Sequence, residues 1–89
     1  MPTLRFTDNI QRHVECPTRE VEGARVREVL DAYFQTNTRA RSYVLDDQAR
    51  LREHMSIFIN GEQLRDRTHL TDPVPADGVV DVIQALSGG

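Results

Sequence analysis

Three histidines, one cysteine and a terminal Ser-Gly-Gly are the residues of this chain whose types could do chemistry. His13, His54 and His69 lie far apart and show neither the i, i+4 spacing nor the Cys-x-x-Cys spacing of zinc ligands, so no metal site is expected. Cys16 could meet a histidine in space as an activated nucleophile. In "VECPT", however, it stands where a strand runs into a turn, and a small apolar role is expected there. Gly61 and Gly78 are isolated turn glycines, not a phosphate-cradling loop. The body of the chain thus offers no catalytic constellation, and attention passes to its end, "IQALSGG". One reading of Gly88-Gly89 is a frayed terminus. The other is that the carboxylate of Gly89 is the working group. Without Cβ atoms the two glycines can lie flat in a channel that no side chain could enter.

The elements that must present this tail are legible from periodicity. "TLRFT" (3–7) alternates, placing Leu4 and Phe6 on one face of a strand. A second strand is expected within "QRHVECPTREVE" (11–22), broken near Pro17. In "GARVREVLDAYF" the period changes: Val26, Val29, Leu30, Tyr33 and Phe34 form one stripe of an amphipathic helix. Gly23 is its expected N-cap, and Asn37 with Thr38 its end. A short helical turn and a loop at "DDQAR" follow. "MSIFI" (55–59) is a strand, and Asn60-Gly61 supplies the two positive φ angles of a type I′ turn into "EQL". "DRTHLTDPVPADG" is an irregular connection, because Pro73 and Pro75 each lack a donor and restrain the preceding residue. "VVDVIQAL" (79–86) is the last strand. One main helix packed on one face of a mixed sheet is an α+β arrangement. The expected division is a domain over 1–86 and a flexible tail over 87–89.

Composition narrows the partners. Eighty-nine residues with 38% hydrophobic content suit one core. A net charge of −3 argues against nucleic acid, whose binding needs clustered cations. All eleven basic residues are arginine. Four Arg-x-Arg pairs (25/27, 39/41, 50/52, 65/67) are interleaved with acids and read as solvated surface. The missing lysine leaves no side-chain amine for an activated terminus to attack. No run approaches the roughly 18 apolar residues of a membrane span, and "MPTLRFTDN" lacks a signal-peptide pattern. A cytoplasmic protein without a membrane partner is expected, and the single Cys16 allows no internal disulfide.

One surface stands out. Met55, Ile57 and Ile59 share a face, which puts Phe58 on the other; Val80 and Val82 likewise leave Ile83 opposite. Burial of these strands on both faces is one reading. With a single helix, the other is an open sheet face whose apolar side chains suit a protein partner.

These features resemble the ubiquitin-like small sulfur carriers of the MoaD/ThiS type. "FINGEQLRD", "VPADGVVDVIQAL" and the terminal "SGG" look like that family's strand, hairpin, final strand and Gly-Gly tail. The resemblance implies a β-grasp fold and a carrier, not an enzyme, with no bound cofactor. It implies an E1-like adenylyltransferase that uses ATP and magnesium to activate Gly89. A sulfur donor or sulfurtransferase then forms a thiocarboxylate, and a downstream enzyme accepts the sulfur. Gly88 and Ser87 would thread the partner's channel, and Phe58, Ile83 and Leu86 would dock on it. The segment "LDDQARLREHMSIFINGEQLR" favours carriers serving cysteine or related thiocarboxylate-dependent synthesis. Gln84-Ala85 stands where many relatives have proline, which leaves the subfamily open. The alternatives are the small subunit of molybdopterin synthase and a ubiquitin-like modifier conjugated through Gly89.

Overall fold

A helix that buries only one stripe needs a sheet to bury it against, and the chain builds both. The structure is a computed structural model that describes residues 1–84. The elements are β1 (Thr3–Phe6), α1 (Asp8–Gln11), β2 (Arg19–Glu20), α2 (Val26–Phe34), α3 (Thr38–Val44), β3 (Met55–Ile59), β4 (Glu62–Gln63) and β5 (Val79–Gln84). They form a five-stranded sheet in the order β2-β1-β5-β3-β4. The central β5 runs parallel to β1 and antiparallel to β3, so the sheet is mixed. The α+β, β-grasp expectation is therefore met.

The α2 stripe is buried as its spacing requires: Val26, Val29 and Leu30 are fully enclosed, with Tyr33 and Phe34 nearly so. It packs over Leu4, Phe6, Val80, Val82, Met55, Ile57 and Ile59 from one face of the sheet. The Phe6 and Tyr33 rings meet with centroids 5.2 Å apart, and the Tyr33 hydroxyl donates to the Pro17 carbonyl at 2.7 Å. The Asn60-Gly61 turn takes positive φ at both residues, 50° and 84°, which reverses β3 into β4 as expected.

The helix start is built differently from the expectation. Arg25, not Gly23, is the N-cap, and it has no side-chain cap bond. The orphan N–H groups of the first turn go instead to the irregular connection: Val26 donates to the Asp72 carbonyl and Arg27 to that of Leu70. Gly23 has a steric role. A Cβ there would lie 2.8 Å from both Cγ2 and the backbone nitrogen of Val29. Asn37 does not close α2 either; it opens α3, its Oδ1 accepting from the Ala40 N–H at 3.3 Å.

Two further expectations are corrected. The second strand is only Arg19–Glu20, and residues before it form the short helix α1. Beyond α1 the Val14 N–H still donates to the Ile10 carbonyl at 3.1 Å, a turn-like bond that is not a ladder bond, and both side chains are buried. The Arg-x-Arg pairs are not uniformly solvated. Arg27 donates to the carbonyls of Ala49, Thr68 and His69. Arg67 donates to those of Arg52, Glu53 and Met55, and Arg52 to that of Ser42. The Arg27 and Arg67 guanidiniums fasten the 65–72 segment to α2, to the 49–53 loop and to the start of β3.

Candidate functional site

The pleat sorts β3 and β5 into two faces. Opposite the helices, Phe58 pairs with Asp81 and with Gln63, Arg5 pairs with Asp81, and Ser56 pairs with Ile83. Residues directly opposite in a ladder share a face, so Arg5, Asp81, Phe58 and Gln63 form one row across four strands. Ile83 lies diagonally from Phe58 in the next row. Both are half-buried, whereas Met55, Ile57, Ile59, Val80 and Val82 on the other face are buried. Both strands thus have a core face and an accessible face. Asp81 is engaged in the middle of the accessible face: Arg5 Nε donates to Oδ1 at 2.7 Å and Nη2 to Oδ2 at 2.9 Å. The bond raises the guanidinium pKa further. Asp81 therefore presents a neutralised pair to an incoming surface instead of a bare charge.

The end of β5 is tied on the other face. Gln84 pairs with Met55 in the ladder, and its Oε1 accepts from the Tyr43 hydroxyl at 2.9 Å and from Asn9 Nδ2 at 3.2 Å. Sequence reading missed this cluster. The available signal was the break in alternation, Val80, Val82 and then a polar Gln84 on the core face. The tail residues Leu86, Ser87, Gly88 and Gly89, with the expected continuation of the strand through 85–86, lie outside the described residues.

The remaining candidates are separate from this surface. Cys16 is buried, and its thiol donates to the Val14 carbonyl at 3.4 Å, not to an imidazole. Burial pushes its pKa up to about 11. It is held as a thiol, the unreactive form. His13 is exposed and stacks on Tyr43 with centroids 5.9 Å apart; His54 and His69 are also exposed. Among the described residues no group of three His, Cys, Asp or Glu side chains is arranged to hold a metal ion. Also among these residues, no helix is long and apolar enough to cross a membrane. A cleft lies between β4 and residues 71–75, lined by Glu62, Gln63, Asp72 and Pro73 among others. It adjoins the start of β5, the opposite end of the sheet from Gln84.

A mixed five-stranded sheet with its helices on one face and an accessible face on the other defines the ubiquitin-like β-grasp class. Solved structures agree over nearly all of the chain. Small archaeal modifier protein 1 from Haloferax volcanii superposes with a TM-score of 0.78 at 23% identity, over 99% of this chain and 98% of its own. A chain of the Amycolatopsis orientalis BexX/CysO complex gives 0.77 at 22% identity, with 100% of each chain covered. CysO from Mycobacterium tuberculosis gives 0.79 at 15% identity, over 97% of this chain and 100% of its own. These neighbours are of the MoaD/ThiS carrier and modifier type that the sequence resembles. No family model and no curated protein matches the sequence.

Proposed function

We propose that the protein is a ubiquitin-like sulfur carrier in which Gly89 is the reacting residue. An E1-like partner binds the accessible sheet face at Phe58 and Ile83, contacts Leu86, and receives Ser87, Gly88 and Gly89 in its active-site channel. Using ATP and magnesium held by that partner, the Gly89 carboxylate oxygen attacks the α-phosphorus and pyrophosphate leaves. Sulfide sulfur from a donor then adds to the acyl carbon, and AMP leaves. The product is a thiocarboxylate, a sulfur anion and a good nucleophile at neutral pH. A carboxylate by itself is a poor acyl donor, which is why activation must come first.

The observation that carries this reading is the agreement in fold over nearly all of the chain with small archaeal modifier protein 1 and CysO, in a sequence that carries Ser87-Gly88-Gly89. The CysO matches favour cysteine or related thiocarboxylate-dependent synthesis as the pathway supplied. The match to the archaeal modifier favours a second reading, conjugation of Gly89 to the amine of a target lysine.

Incubation with the cognate E1-like enzyme, ATP, magnesium and a sulfide donor should raise the intact mass by the exchange of one oxygen for sulfur. Deleting Gly89 should abolish the product and leave the fold unchanged, because the reacting carbon moves a whole residue out of place. An unmodified full-length chain would reject the carrier reading. An isopeptide adduct isolated from cells would select the second.

A further inference from the structure

We infer that Gln84 is a positioning residue whose side-chain carbonyl ties the last described turn of the pleat to α1 and α3, and so sets the direction in which the chain leaves β5. The inference rests on the carrier reading, since direction matters only if Gly89 must reach a fixed point in a partner.

Three elements converge on one atom. Gln84 Oε1 accepts from the Tyr43 hydroxyl of α3 and from Asn9 Nδ2 of α1, which uses both of its lone pairs. Neither donor is loose. Tyr43 packs against the core and stacks on His13. Asn9 belongs to a helix that follows β1 directly and is fastened to it by the bond from Gln11 Nε2 to the Phe6 carbonyl at 2.9 Å. Gln84's backbone is meanwhile held by its pairing with Met55.

Packing alone does not ask for glutamine here. The core face of β5 reads Val80, Val82, Gln84, and an apolar third residue would continue it. A polar group placed there instead, with two partners from separate helices, gives the strand end a directional restraint that apolar contact lacks. The neighbouring residue makes the division of labour plain. Ile83 points to the accessible face where a partner binds, and Gln84 points to the protein's own helices. A partner seated on Ile83 therefore meets a strand end already held at Gln84. Less ordering is left to be done when the tail enters the channel, which favours reaction over mere binding.

The test compares Gln84→Leu, which removes the acceptor, with Gln84→Glu, which keeps it. In ATP–pyrophosphate exchange with the E1-like enzyme, Gln84→Leu should lower kcat about fivefold to tenfold, the range for losing one or two neutral hydrogen bonds. KM should stay within about twofold, because the docking face is untouched. Gln84→Glu should restore most of kcat, and Tyr43→Phe should fall between. Independently of any enzyme, hydrogen exchange of the amides at 83 and 84 should quicken in Gln84→Leu. Equal kcat for Gln84→Leu and the unsubstituted chain overturns the inference, as does a fall confined to KM or a failure of Gln84→Glu to rescue. If the unsubstituted chain is not adenylated at all, the carrier reading falls. Unchanged exchange at 83 and 84 would then overturn the restraint by itself.

Discussion

Phe58 lies directly across the β3–β5 ladder from Asp81, whose two carboxylate oxygens are both engaged by Arg5. An aromatic ring beside a neutralised pair is a surface that can be desolvated without stranding a charge.

Replacing Phe58 separates a docking role from a core role. Phe58→Ser should lower stability by about 1–2 kcal/mol, as for loss of a half-buried apolar side chain, and keep a cooperative transition. Leu30→Ala, in the enclosed α2 stripe, should cost about 2–5 kcal/mol. Urea denaturation of both variants, with titration of Phe58→Ser against the E1-like partner, checks this. Affinity should fall about tenfold or more if the ring anchors the interface. Equal stability losses with unchanged affinity would put Phe58 in the core.

Gly23 should be irreplaceable for a local reason. An added methyl would meet Val29 Cγ2 and backbone N at 2.8 Å, and the Glu28 backbone carbon at 3.1 Å. Backbone of the first helical turn cannot give way cheaply, so Gly23→Ala should cost about 1–3 kcal/mol. Gly61 is the contrast: nothing lies within 4 Å of an added Cβ, and only its φ of +84° opposes substitution. Gly61→Ala should cost about 1–2 kcal/mol through backbone strain. Thermal melts of the two variants measure both costs, and Val29→Ala should not relieve the first, because the contacts with the backbone of Val29 and Glu28 remain.

Acid stability should depend on Asp66. Its carboxylate accepts from the Thr71 hydroxyl and from the His69 and Thr68 amides, which lower its pKa from 3.8 to about 2. A carboxyl that titrates lower in the folded chain than in the unfolded one favours folding above the unfolded value. Its contribution is therefore present above about pH 4 and is lost as the pH falls through 2. Asp66→Asn should flatten the stability profile across this window without changing its slope near neutrality. Denaturation midpoints at pH 5, 3 and 2 measure the effect, and a parallel downward shift at all three would assign the bonds a purely structural role.

Local period and local turn chemistry were enough for much of this molecule. The alternation of Leu4 and Phe6, the 3-4 spacing of the α2 stripe and the paired positive φ of Asn60-Gly61 each depend on residues a few positions apart, so each could be read from the chain. The split of β3 and β5 into a core face and an accessible face followed from the same period of two. Tertiary structure alone decided what the long polar side chains do. Arg27 looked like solvated surface because its acceptors, the carbonyls of Ala49, Thr68 and His69, come from loops 22 to 42 residues away. Gln84 likewise finds Asn9 and Tyr43 at separations of 75 and 41 residues. Hydrophobic pattern records which face of an element avoids water. It carries no record of which distant carbonyl or hydroxyl a flexible polar side chain will meet, and that is settled only when the sheet order β2-β1-β5-β3-β4 brings the two ends of the chain side by side.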